Sequence, residues 1–146
     1  MDTGALVAFF AARPDVRLAY LFGSQARGTA GRRSDVDLAI VLDPATSSAH
    51  AARRDQLAAE LMGCLHRNDV DLVLADRAPP LLRHRIAHEG RCLLAADPLE
   101  ATRFAVAALR DYEDTRPLRA IAAAALRRRL AAGQFGVRPA YRRGNA

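Results

Sequence analysis

Apolar positions along this chain change their period from one segment to the next, and the changes mark out its elements. Leu6, Phe9 and Phe10 stand at i, i+3 and i+4, the spacing of one helix face, and predict a first helix that ends near Pro14. Arg17–Phe22 and Val36–Leu42 are short apolar runs and read as strands, the second closed by Asp43-Pro44. Ser47 or Ser48 is expected to cap the next helix, which carries Leu57, Leu61, Cys64 and Leu65 on one stripe. Val70–Leu74 reads as a third strand. Pro79-Pro80 opens a short helix through Leu82 and Ile86 that stops at Gly90, and Cys92–Ala95 reads as a brief fourth strand. Asp97-Pro98-Leu99-Glu100 has the form of a capping box, and the helix it opens places Phe104, Ala108, Leu109 and Tyr112 on one side. Pro117 is expected to kink or break that helix, and Leu118–Leu130 continues as an alanine-rich one. Residues 1–97 are thus expected to form a core, 98–132 a helical arm packed on it, and 133–146 a flexible basic tail with little apolar content. No internal repeat is visible.

Composition narrows this picture in three ways. A chain of 146 residues, 51% of them apolar, suits one domain with a real core. No apolar run approaches the ~20 residues needed to span a bilayer, and no basic segment precedes an apolar one at the N-terminus, so a cytoplasmic protein is expected. Cys64 and Cys92 are expected as small core residues in a reducing compartment. Charge is unevenly spread. Residues 1–100 hold 12 arginines against 13 acids, and residues 101–146 hold 10 against 3. All 22 basic residues are arginine. A near-neutral first part argues against a groove for duplex nucleic acid there. The basic arm offers a surface to an acidic partner or to nucleic acid, or is simply a solvated helix face.

The segment Leu21–Leu42 carries the candidate chemistry. Asp35 and Asp37 sit two apart where the second strand begins, and alternation along a strand puts both carboxylates on one side. Two neighbouring carboxylates repel unless a cation or proton lies between them. Mg²⁺ is the natural cation for such oxygen ligands, and it commonly brings phosphates with it. The Gly23-Ser24 turn, opening a short helix, supplies backbone N–H groups for those phosphates. His84 and His88 lie four apart on a predicted helix, but no third ligand has a suitable spacing, so exposed histidines are expected. Ser24 has no oriented histidine and carboxylate to make it a nucleophile.

The run Gly23-Ser24-Gln25-Ala26-Arg27-Gly28, followed by Ser34-Asp35-Val36-Asp37-Leu38, resembles the nucleotidyltransferase superfamily that includes DNA polymerase beta and the aminoglycoside nucleotidyltransferases, in particular its minimal nucleotidyltransferase branch. That resemblance implies an α/β (α+β) fold, a small mixed sheet flanked by helices with a C-terminal helical arm. It also implies a third carboxylate on a neighbouring strand. Asn68-Asp69-Val70-Asp71-Leu72 offers two; Asp71, deeper in the apolar run, matches the family position better, while Asp69 reads as a strand-entry residue. In the implied reaction a nucleoside monophosphate passes from NTP to a hydroxyl. Asp35 and Asp37 would bind two Mg²⁺ ions roughly 3.5–4 Å apart. Asp71 would ligate the second ion or act as general base, Gly23 and Ser24 would hold the β and γ phosphates, and Arg27 would neutralise the leaving pyrophosphate.

The Asp69–Val73 strand, the Pro79-Pro80-Leu81-Leu82 helix ending at Glu89-Gly90, and the closing Tyr112–Pro117 segment further resemble the MntA family of antitoxins, over nearly the whole chain to about Gly136. Members of that family use ATP to AMPylate a tyrosine on a HEPN ribonuclease toxin. The resemblance therefore implies ATP as substrate, a HEPN-domain partner, possibly in a hetero-oligomer, and neither a membrane nor a nucleic-acid substrate. Two other readings stand beside it. A small-molecule nucleotidyltransferase would ordinarily carry a larger C-terminal domain. A toxin-binding module without catalysis would have no use for three costly carboxylates.

Overall fold

Strand alternation sorts the apolar residues into two cores, one on each face of a single sheet. The computed structural model describes residues 3–31 and 34–133. The chain runs through α1 (Thr3–Ala11), β1 (Val16–Phe22), a single turn α2 (Gly23–Ala26), β2 (Val36–Leu42), a 3-10 segment (Pro44–Ala49) and α3 (His50–Leu65). It continues through β3 (Val70–Leu74), a 3-10 turn (Ala75–Arg77), α4 (Pro80–Glu89), β4 (Arg91–Ala95), α5 (Pro98–Asp114) and α6 (Arg116–Ala131). The four strands form one mixed sheet in the order β3-β2-β1-β4. The β1–β2 and β1–β4 pairs are antiparallel, and β2–β3 is parallel.

On one face Leu38 and Ile40 of β2 meet Phe10 of α1 and Leu57 and Leu61 of α3, all buried. On the other, Leu18 and Tyr20 of β1 and Ala39 of β2 meet Ile86 of α4 and Phe104 of α5. The Tyr20 and Phe104 rings lie 5.6 Å apart between centroids, a contact that joins α5 to the sheet. Asp37 belongs to the second face, because its neighbours at even positions of β2 fill the first.

The strand bounds and the break before Pro117 agree with the sequence pattern, and five local expectations need correction. Cys64 is exposed, because the buried stripe of α3 runs through Leu57, Ala58, Leu61, Met62 and Leu65 and leaves Cys64 at its margin. Cys92 is also exposed, on the edge strand β4. Neither Ser47 nor Ser48 caps α3; Asp43 accepts from the Ala45 N–H at 2.9 Å and starts the 3-10 segment instead. Asp97 does accept from the Leu99 N–H at 2.9 Å, but Glu100 reaches across to Arg17 on β1 rather than back to close a box. Leu109 is 52% exposed, whereas Phe104 of the same predicted stripe packs on the sheet and Ala108 is buried.

By compactness the chain divides into one unit up to Tyr112 and a second from Glu113 onward, a boundary inside α5. The second unit's described part is α6 with its approach. Arg127, Arg128 and Arg129 are exposed near its C-terminal end, where positive charge suits the helix dipole. Residues 134–146, read from sequence as tail, lie outside the described residues. No described helix is long and apolar enough to cross a membrane.

Candidate active site

β1 ends at Phe22, and the chain turns into α2 at Gly23, whose φ is +69°. An L side chain is strained in that left-handed region. Space forbids one as well: a Cβ on Gly23 would stand 2.1 Å from Oδ2 of Asp37. The glycine therefore lets the backbone of the turn lie directly against a carboxylate. Phe22 pairs with Asp37 across β1–β2, and Asp37 pairs with Asp71 across β2–β3, so one row of the sheet runs from the Gly23 turn through both aspartates. Asp35 precedes β2 by one residue and is exposed, as is Asp71, while Asp37 is half-buried between them.

Electrostatics agree with this proximity. The Asp37 carboxyl is pushed above the usual carboxylate range, first by burial, then by the negative charges of Asp71 and Asp35, with Arg27 pulling the other way. Asp69 has the opposite environment. Arg67 grips it through Nε at 2.7 Å and Nη2 at 2.5 Å, and its carboxyl is held below the usual range. The same Arg67 Nη2 donates to the Ser34 carbonyl at 2.8 Å, and the Asp69 carbonyl accepts from the Val36 N–H at 2.9 Å. Asp69 thus ties the entry of β3 to the entry of β2. Arg67 was not singled out from sequence; its signal was an arginine two positions ahead of a strand-entry aspartate.

Ser24 and Arg27, the residues expected to meet phosphate, lie at α2, and Arg27 reaches α4. The Ser24 carbonyl accepts from the Thr29 N–H at 3.1 Å, and its hydroxyl has no protein partner among the described residues. Arg27 caps α2 and pairs with Glu89 of α4 at 3.3 Å. A pocket of about 140 Å³ opens here, lined by Phe22, Gly23, Arg27, Leu82, Arg85 and Glu89. Arg85 was absent from the sequence reading, and Glu89 entered it only as a helix end, because helix position alone does not say what lies opposite. His84 and His88 stack on one another at 5.5 Å between ring centroids, and His84 also stacks on Tyr112 at 4.0 Å.

Residues 5–99 match the family model described as Polymerase beta, Nucleotidyltransferase. The chain belongs to that nucleotidyltransferase family. Among curated relatives, the protein adenylyltransferase MntA of Shewanella oneidensis is 36% identical over 80 residues, which is 55% of each chain, so this chain matches about half the length of that relative. A solved toxin–antitoxin structure with AMP-PNP has a TM-score of 0.71 at 26% identity, covering 86% of this chain and 98% of that one. A tri-AMPylated Shewanella oneidensis HEPN toxin in complex with MNT antitoxin contains a chain of the same fold, with a TM-score of 0.64 at 23% identity, covering 85% and 94%.

A nucleotidyltransferase of this family needs its carboxylates to accept a divalent cation, and the donor set here fits one. Three carboxylates share a field that raises the pKa of the central one, and a hard oxygen-seeking cation relieves that repulsion. Among the described residues they do not close into a three-ligand cage around one point.

Proposed function

We propose that this protein transfers AMP from ATP to a tyrosine hydroxyl of a HEPN-domain toxin and thereby acts as its antitoxin. The observation that carries the reading is the row Gly23–Asp37–Asp71, in which a backbone turn lies against one carboxylate and a second carboxylate sits in register beside it. The curated relative and the AMP-PNP complex support the choice of nucleotide and of a protein acceptor.

When bound, Mg²⁺ would screen the triphosphate and make the acceptor hydroxyl more acidic. Asp35 and Asp37 would hold the metal, and Asp71 would complete its ligand set or take the tyrosine proton at its carboxylate. The phenolic oxygen forms a bond to the α phosphorus as the α–β bridge breaks, and the electron pair leaves on pyrophosphate. Gly23 and Ser24 cradle the β and γ phosphates, and Arg27 neutralises the departing charge. The test is to incubate the full chain with ATP, Mg²⁺ and a HEPN-domain partner, and to locate added AMP by mass spectrometry. Mass increments of AMP on a tyrosine, lost in chelator, are expected. Turnover on an aminoglycoside with none on protein would replace this reading with the small-molecule one, and neutralisation of the toxin without nucleotide would replace it with a contact mechanism.

A further inference from the structure

Asp35 stands one residue ahead of β2 and is exposed, so neither the strand ladder nor packing fixes its direction. The backbone on either side of it does. A Cα lies between two planar peptide units, and holding both leaves only the side-chain rotamer free. The Ser34–Asp35 peptide is held through its carbonyl, which accepts from Arg67 Nη2 at 2.8 Å and from Gln25 Nε2 at 3.4 Å. The Asp35–Val36 peptide is held through its N–H, which donates to the Asp69 carbonyl at 2.9 Å. Ser34 is itself tied to Gly31: its N–H donates to the Gly31 carbonyl at 3.1 Å, and its hydroxyl oxygen accepts from the Gly31 N–H at 2.9 Å. Arg67 makes the shorter of the two bonds to the Ser34 carbonyl, and a charged donor makes the stronger kind. Its guanidinium is held above its ordinary pKa, first by the bond to Asp69, with the charge of Asp35 adding to it. Arg67 thus lies in the field of the carboxylate whose backbone it holds.

We propose that Arg67 is a positioning residue for the metal site: by holding the Ser34 carbonyl it fixes the direction of Asp35 toward the cation that Asp35 would share with Asp37. The inference rests on the nucleotidyl-transfer reading and adds to it a residue that acts through a metal ligand. A carboxylate on a loose lead-in must be ordered when a cation arrives, and that ordering subtracts from affinity; a carboxylate already held avoids the loss. Asp69 has a second part here. Its carboxylate offsets the Arg67 charge, so the guanidinium can lie near Asp35 without driving a cation away. The two roles open to Arg67 therefore have opposite signs. If it acted only as a charge, its removal would leave Asp69 negative and draw a cation in. If it acts as a brace, its removal lets Asp35 swing and weakens the hold on the cation.

Calorimetry on the full chain tests this with ATP titrated in Mn²⁺ and again in chelator, the ratio of the two affinities being what the metal contributes. Arg67→Ala is expected to weaken ATP with Mn²⁺ about tenfold or more, the usual cost of losing a group that orients a metal ligand, and to leave ATP in chelator unchanged. Damage to the fold would weaken both. Arg67→Lys, which can still donate one N–H to the Ser34 carbonyl, should recover part of the loss. Asp69→Asn keeps an oxygen for Arg67 to hold and should lose less than Arg67→Ala. The proposal is overturned if Arg67→Ala binds ATP with Mn²⁺ as tightly as the wild type or more tightly, if it weakens ATP equally with and without the metal, if Asp69→Asn loses as much, or if Mn²⁺ adds nothing to the wild-type affinity. These titrations need no acceptor, so a metal contribution that depends on Arg67 in a chain that never modifies protein would sink only the function reading.

Discussion

On the α1 and α3 side of the sheet, carboxylates are matched to arginines. Arg53 Nε stands 2.6 Å from Asp15 Oδ2 and Arg13 Nη2 stands 2.6 Å from Glu60 Oε2, and both acids are held below their ordinary pKa. At the head of β2 and β3 the opposite holds. Asp35, Asp37 and Asp71 have no ion pair among the described residues, and Asp37 is pushed upward. The chain has 22 arginines to spend, so this is not a shortage of cations. The nearest strand-entry acid, Asp69, has its own arginine two residues before it. The contrast separates carboxylates that the fold pairs with arginine from carboxylates that it leaves without an ion pair among the described residues.

The largest effect should come from removing that open charge. Asp35→Asn with Asp37→Asn should lower AMP transfer roughly 100-fold or more, because charge stabilisation of the transition state is lost. Asp37→Asn alone should also raise the melting temperature of the ligand-free protein at pH 7. The sign follows from the raised folded-state pKa: the penalty is absent below the ordinary carboxylate value and fully present above the folded value. Melting curves from pH 3 to 7 should therefore show the variant's advantage vanish as pH falls. A variant less stable than wild type at pH 7 would mean that Asp37 contributes to the fold and has been misread.

Next in size is Gly23→Ala. Positive φ costs a non-glycine residue about 1–2 kcal/mol, and the new Cβ must displace the Asp37 carboxylate. Transfer should drop at least tenfold while the sheet still forms, which circular dichroism and a rate assay would separate. Normal turnover would show that the close approach has no functional weight. The finest discrimination lies on one strand. Asp71→Ala should cripple transfer, whereas Asp69→Ala should leave it within a few-fold and reduce stability modestly, since Asp69 meets Arg67 at an exposed site. The reverse ranking would hand the third carboxylate to Asp69.

The elements were legible because strand and helix periods are local properties, and β2 and β3 have the bounds read from the sequence. Spacing and alternation grouped Asp35 with Asp37, and the family resemblance pointed to Asp71, which the sheet register sets beside Asp37. What escaped depends on partners far along the chain. Glu100 looked like part of a capping box, but Arg17 lies opposite it across the fold. Cys64 sat on a plausible stripe, but the buried line of α3 runs through Leu57, Ala58, Leu61, Met62 and Leu65 and passes it by. Arg85 and Glu89 became visible only when α4 was laid beside the Gly23 turn.

Asp37 and Asp71 are register partners in a parallel pair whose connection passes through the whole of α3. Such a pairing closes late in folding, because loop entropy is lost before packing rewards it. Here one rung of that pairing carries two carboxylates side by side, and their repulsion is expected to oppose its closure. A divalent ion that bridges them should act on the rate at which the chain matures as well as on what the mature protein does. Refolding followed by stopped flow should quicken when Mg²⁺ is added to the wild type and stay constant for Asp37→Asn; equal rates for the wild type with and without the ion would show that this rung forms before the barrier or imposes no barrier at all.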